Sequence, residues 1–155
     1  MKKRLMLALL LPLSMPAAAL ADAGHQDGDR HYGEPGDAKK PARVVHITMR
    51  EADQKMQFVP SEVKIKKGEQ IKFVIRNNGA LDHEIVIATI EENLKHAEEM
   101  AKNPDMEHDD PNARRLGPNK AGEMIWKFTK AGEFDFSCLI PGHREAGMFG
   151  KIIVR

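Results

Sequence analysis

Apolar and polar residues alternate in short runs along most of this chain, and a period of two predicts half-buried β-strands. Val44, Val45 and Ile47 begin the first run after Arg43, and Met56 to Val59 continue toward an edge. Pro60 ends it, because proline cannot donate to a ladder. Val63 and Ile65 alternate with Lys64 and Lys66; after the Lys67-Gly68-Glu69 turn, Ile71, Phe73 and Ile75 alternate with Lys72, Val74 and Arg76. Asn77-Asn78-Gly79 reads as a turn, its residues tolerating positive φ, and a strand from Glu84 to Ala88 follows His83. Ala121 to Phe128 sets Met124, Trp126 and Phe128 on one face, with Trp126 in the core. Phe134 and Phe136 alternate with polar residues up to Cys138, whose sulfur therefore points inward. Lys151 to Val154 closes the sheet.

The period changes once. Thr89 and Glu92 form a capping box, after which Leu94, Ala97 and Met100 or Ala101 supply an apolar stripe at helical spacing, and Asn103-Pro104 ends the helix. This helix and the loop to Pro118 read as an insertion between strands. The fold class predicted is all-β: a Greek-key β-sandwich carrying one inserted helix.

The first residues belong to a different pattern. Lys2, Lys3 and Arg4 precede an apolar run from Leu5 to Leu13, and Ala19-Leu20-Ala21 offers small residues for cleavage, so residues 1–21 are expected to be a secretory signal peptide. Pro12 and Pro16 break the run short of the roughly 20 residues a spanning helix needs, so no membrane span is expected in the mature chain. Export to a periplasm follows. Residues 22–41 are polar and rich in Gly and Asp and are expected to form a flexible lead-in with no core of its own; residues 42–155 form the domain.

Charge adds an exclusion. The full chain carries 24 Lys+Arg against 23 Asp+Glu, and losing Lys2, Lys3 and Arg4 with the leader turns the net charge from +1 to −2 with histidines neutral. No concentrated basic stripe points to nucleic acid. The single cysteine is more telling, since exported proteins usually pair theirs and one left over implies an intermolecular bond or a thiol with a task.

That cysteine stands at the head of Ser137-Cys138-Leu139-Ile140-Pro141-Gly142-His143-Arg144-Glu145-Ala146-Gly147-Met148. Four residues separate Cys138 from His143 and four more separate His143 from Met148, with Pro141 and Gly142 forcing a compact loop. Thiolate, imidazole and thioether would converge on one point, a donor set that describes a blue-copper electron-transfer site once a second histidine joins it. His83 is the best candidate for that place. His46 competes, but it sits on the strand face opposite Val45 and Ile47 and is expected to point to solvent.

These residues carry a family resemblance. Gly132 to Cys138, the Pro141-Gly142-His143 turn, Met148 and the closing strand Gly150 to Val154 resemble the C-terminal copper-binding loop of a cupredoxin of the plastocyanin/azurin family. Pro60 to Val63, Ile71 to Arg76 and Asn77 to Glu84 resemble that family's strand carrying the first histidine. The loop spacing is closer to rusticyanin-like loops than to plastocyanin, and the Asp82-His83-Glu84 context with the leader looks like periplasmic copper-tolerance cupredoxins of the CopI kind. The resemblance implies one type 1 copper held by His83, Cys138, His143 and axial Met148. It also implies single-electron transfer with periplasmic redox partners docking at the apolar rim around His143, by a protein expected to be a monomer. Plastocyanin and azurin place asparagine after the first histidine; Glu84 stands there here, which leaves the hydrogen bonding to the cysteine loop open.

Other chemistry fits less well. A cysteine hydrolase needs an oxyanion arrangement and no matched methionine, and structural zinc wants more cysteine or histidine and no thioether. Multicopper oxidases and copper nitrite reductases flank the cysteine with histidines, where Ser137 and Leu139 stand here. The expectation is a binding and electron-transfer protein rather than an enzyme, with a copper-tolerance role as the alternative. His25, His31, His96, Met100, Met106 and His108 form a weaker second pool of soft donors for an auxiliary copper site, against which stands methionine's ordinary use as core filler.

Overall fold

The computed structural model describes Arg30, residues 32–103 and residues 110–155. Among these, ten strands and one helix follow in order: β1 Glu34–Pro35, β2 Arg43–Ala52, β3 Lys55–Val59, β4 Glu62–Ile65, β5 Gln70–Asn77, β6 His83–Ala88, α1 Ile90–Lys102, β7 Ala113–Leu116, β8 Ala121–Lys127, β9 Gly132–Ser137 and β10 Phe149–Val154. They form two five-stranded sheets, ordered β1-β8-β5-β2-β3 and β4-β10-β9-β6-β7. The β2–β5 and β4–β10 ladders are parallel and the others antiparallel. The sandwich with one inserted helix is the architecture that the alternation of residues predicts.

Side chains of period two fill the space between the sheets. Val45, Ile47 and Met49 of β2, Ile71, Phe73 and Ile75 of β5, and Met124 and Trp126 of β8 are buried against Phe134, Phe136 and Ile152 from the other sheet. Phe58 meets Phe136 edge to face, with ring centroids 5.1 Å apart, the offset geometry that aromatic quadrupoles favour. Gly150 lets the Phe136 ring lie directly over the β10 backbone, where any Cβ would overlap it.

Four local expectations need correction. Residues 55–59 do not prolong the first strand: the chain reverses at Asp53 and Gln54, both at positive φ, and β3 returns antiparallel to β2 as the sheet edge. The lead-in expected over residues 22–41 is anchored to the sandwich at Tyr32 and through β1, while most of residues 34–41 stay exposed. Tyr32 is 5% exposed and stacks on Trp126 at 5.5 Å, its carbonyl accepts the Trp126 Nε1–H at 3.2 Å, and β1 pairs with β8. A buried indole needs an acceptor, and this segment brings it.

The loop expected to run to Pro118 contains β7, which extends the second sheet beside β6. In α1 the capping box is present, Glu92 N–H bonding Thr89 Oγ1 and Thr89 N–H bonding Glu92. The inward stripe, however, is Asn93 and Met100, both buried, with Ala97 half-buried between them, while Leu94 is 48% exposed. Met100 packs with Val86, Ala113 and Leu139, so it serves as core. His25, His31, Met106 and His108, like the expected signal peptide of residues 1–21, lie outside the described residues.

Candidate metal centre

Antiparallel pairing brings the donors to one end of the sandwich. β6 begins at His83 beside the end of β9, with Val86 opposite Ser137, so His83 and Cys138, the residue after β9, lie together. Cys138 continues the inward face of Phe134 and Phe136 and is fully buried. The chain then makes a tight loop: His143 N–H bonds Ile140 O, Ala146 N–H bonds Gly142 O, and Gly142 and Gly147 take φ of 88° and 100°. Met148 N–H donates to His143 O and Cys138 N–H to Met148 O, each at 3.0 Å. The loop thus closes on itself with Cys138, His143 and Met148 on adjacent backbone bonds.

The donor atoms meet. His83 Nδ1 lies 3.2 Å from His143 Nδ1, and Cys138 Sγ lies 3.3 Å from the same nitrogen. His83, Cys138 and His143 are all buried, and their ligand atoms fall within 4.8 Å of one another. Met148 is fully buried in the same core cluster. His46, the competing histidine, is exposed.

The surroundings leave these groups ready to bind a cation. Burial pushes the Cys138 thiol up to about 12, with the Glu84 N–H opposing that rise, so a metal must displace its proton on binding. Burial, then the neighbouring His83, holds His143 below the ordinary imidazole range and keeps it neutral. The hydrogen bonds left open by Glu84 are made in a different way: its backbone N–H donates to Cys138 Sγ at 3.4 Å, and its carboxylate accepts the Leu139 N–H at 3.0 Å. Burial raises the Glu84 carboxyl, and the Leu139 N–H and Arg115 temper the shift.

Three functional contacts had escaped the sequence. Glu51 Oε1 lies 2.9 Å from His83 Nε2, at hydrogen-bond distance. Burial works to raise the Glu51 carboxyl, but bonds from the Ala80 and Leu81 N–H groups and from His83 outweigh it and hold it low. On the outer face of β9, Asp135 Oδ2 accepts from Arg144 at 2.7 Å, Ser137 Oγ at 2.6 Å and Asn93 at 2.8 Å, which fastens the loop residue next to His143 to the helix. The Arg144 guanidinium also lies over the Phe149 ring, 5.1 Å from its centroid. Only the Asp135/Ser137 alternation hinted at this network; Glu51 lies 32 residues from His83 and carries no local signal.

A copper ion suits this arrangement. With bonds of about 2.0–2.3 Å to nitrogen and sulfur, as zinc makes, donors around one ion stand roughly 3.3–3.8 Å apart. The observed separations of 3.2 and 3.3 Å are within small side-chain rotations of that. One soft sulfur with two imidazoles favours copper over harder cations. A β-sandwich that closes such a donor set at one end is a single-copper metalloprotein.

The chain belongs to the plastocyanin/azurin family of copper-binding proteins, whose family profile matches residues 45–155. It is 43% identical over 168 aligned residues, all of both chains, to the copper-resistant cuproprotein CopI of Rubrivivax gelatinosus. It is 30% identical over 182 residues, 99% of this chain and 98% of the relative, to the protein of the same name in Pseudomonas aeruginosa. Reduced auracyanin from Roseiflexus castenholzii superposes with a TM-score of 0.61 at 23% identity, covering 75% of this chain and 99% of that one, a likeness of fold. It is therefore a CopI-like cupredoxin whose cofactor is one copper. Among the described residues no helix is long and apolar enough to cross a membrane.

Proposed function

We propose that this protein confers copper resistance in the periplasm, where His83, Cys138 and His143, with the thioether of Met148 as a weak fourth donor, would hold one copper ion. The observation that carries this reading is the convergence of the two Nδ1 atoms and the thiol inside the core, within 3.2–3.3 Å of a shared nitrogen. The relatives named for copper resistance, similar over the whole chain, support the physiological role. Copper so held would exchange one electron between its two common oxidation states. The chain's part is to hold the donors in place: β6 and β9 fix His83 and Cys138, the closed loop fixes His143, and burial excludes water. The protein acts as a binding and redox protein rather than an enzyme.

A second reading, an electron shuttle between periplasmic proteins, is favoured by the surface at His143. That residue is 9% exposed, and Pro141 and Gly142 beside it in the loop are exposed, an edge that a redox partner would contact.

The two readings part in a growth experiment. The gene is deleted in its source organism and complemented with the intact chain or with Cys138→Ser, and growth is followed across a copper series. Copper sensitivity rescued only by the intact chain is the expected result. Unchanged resistance accompanied by a respiratory defect would instead assign the protein to electron transport.

A further inference from the structure

We propose that Glu51, near the end of β2 on the opposite sheet, is the positioning carboxylate of the copper site, fixing which nitrogen His83 presents and biasing the site toward copper(II). The inference rests on the reading of His83 as a ligand. An ionised carboxylate has lone pairs and no proton to give. The 2.9 Å contact between Glu51 Oε1 and His83 Nε2 is therefore an Nε2–H donating outward. The proton being on Nε2, the Nδ1 lone pair is left facing His143 Nδ1 at 3.2 Å. His83 is fully buried, and this bond sets both its tautomer and its ring orientation, the role that partners of metal-bound histidines commonly fill.

The carboxylate is itself held in place. Ala80 N–H donates to Oε2 at 3.0 Å and Leu81 N–H to Oε1 at 3.1 Å, so Glu51 also organises the turn that leads into His83. Gly79 completes the fit, since a Cβ there would overlap the Glu51 carboxylate. One side chain thus ties the first sheet to the turn and to the imidazole at once. Its negative charge, one imidazole away from the donor cluster, attracts a doubly charged ion more than a singly charged one.

The test uses the full chain. Nitrogen-15 NMR of the metal-free wild type reports the His83 tautomer directly, and a proton on Nε2 is expected. Competition titrations with copper(II) and copper(I), and the reduction potential, are then compared for wild type and Glu51→Gln, which keeps an acceptor oxygen and removes the charge. Copper(II) affinity is expected to fall by about 10–100-fold, the usual cost of losing such a partner, and copper(I) affinity by less. Each tenfold difference between the two losses raises the potential by about 59 mV.

A proton on Nδ1 of His83 in the wild type, or unchanged affinities and potential in Glu51→Gln, would overturn the proposal. If the variant fails to fold, the wild-type tautomer alone decides. His83→Ala separates the two levels: retained copper affinity and colour there would remove His83 as a ligand. Loss of both, with Nδ1 protonated in the wild type, would leave the ligand in place and dismiss Glu51.

Discussion

The two faces of strand β9 and its following loop hold buried polar groups of opposite character. Outward, Asp135 and Ser137 meet Asn93 and Arg144, and Asp135 Oδ2 alone accepts three hydrogen bonds. Inward, past Phe134 and Phe136, Cys138 meets His83 and His143 with the thiol sulfur and both Nδ1 atoms turned toward one another. The first cluster is bonded within itself: the Asp135 charge meets the Arg144 guanidinium, and among the described residues only Asn93 Oδ1 is a buried side-chain acceptor without a partner. The second gathers three metal-ligand atoms at one point, which a single cation would bind together. Adjacent residues divide the work, since His143 serves the inward cluster and Arg144 the outward one. Buried polar groups that bond one another build structure, while a thiol and two imidazole nitrogens that converge on one point make a metal-binding site.

The largest effect should come from breaking the inward cluster. Cys138→Ser removes the soft donor while changing little volume, so the intense visible colour of the copper(II) form should vanish in absorption spectra. Retained colour would take the thiolate out of the site. The fold should survive, because the outward network is untouched.

Breaking the outward cluster should do the reverse. Asp135→Ala strands the Arg144 guanidinium, whose side chain is only 14% exposed, and removing one partner of a buried pair typically costs about 3–5 kcal/mol. Urea unfolding of the metal-free chain measures that cost, and copper-loaded protein should keep its colour. A loss below about 1 kcal/mol, the range of exposed ion pairs, would show that Arg144 does not fasten the loop.

Met148→Leu sharpens the inward half. Leucine fills nearly the same volume, so copper should stay bound, but loss of a weak donor to the more highly charged ion should raise the reduction potential, which voltammetry reads. An unchanged potential would argue against axial ligation.

The inward cluster was largely legible in the sequence and the outward one was not, for a physical reason. Period two put Cys138 on the face of Phe134 and Phe136, and the Pro141-Gly142 turn with its even spacing announced the loop. His83 was recoverable only as a companion to those residues. Asp135 and Ser137 read as solvent-facing by the same alternation, because nothing local says that α1 covers that face. The helix stripe was misplaced from Asn93 to Leu94 for the same cause, a polar side chain being drawn inward by Asp135 and by the Val86 carbonyl. β7, with Arg114 and Arg115 among its four residues, lacks the alternation that marks a strand and exists because β6 offers it a ladder. Tyr32, one aromatic among polar neighbours, was invisible to composition until Trp126 needed an acceptor.

The smallest predicted effect tests how far the helix contributes to the outward cluster. Thr89 caps α1 through its side-chain oxygen and shares the box with Glu92, and replacing such a cap with alanine costs about 1 kcal/mol. Thr89→Ala should therefore lower unfolding stability by about that amount, and it should leave the copper(II) spectrum unchanged. Asn93 carries α1's bond to Asp135 from the first turn of the helix, so fraying there loosens the outward cluster before the inward one. A spectral change in Thr89→Ala would mean that the two faces of β9 are coupled through Arg144 and His143, and the division between structure and site would then be one of degree.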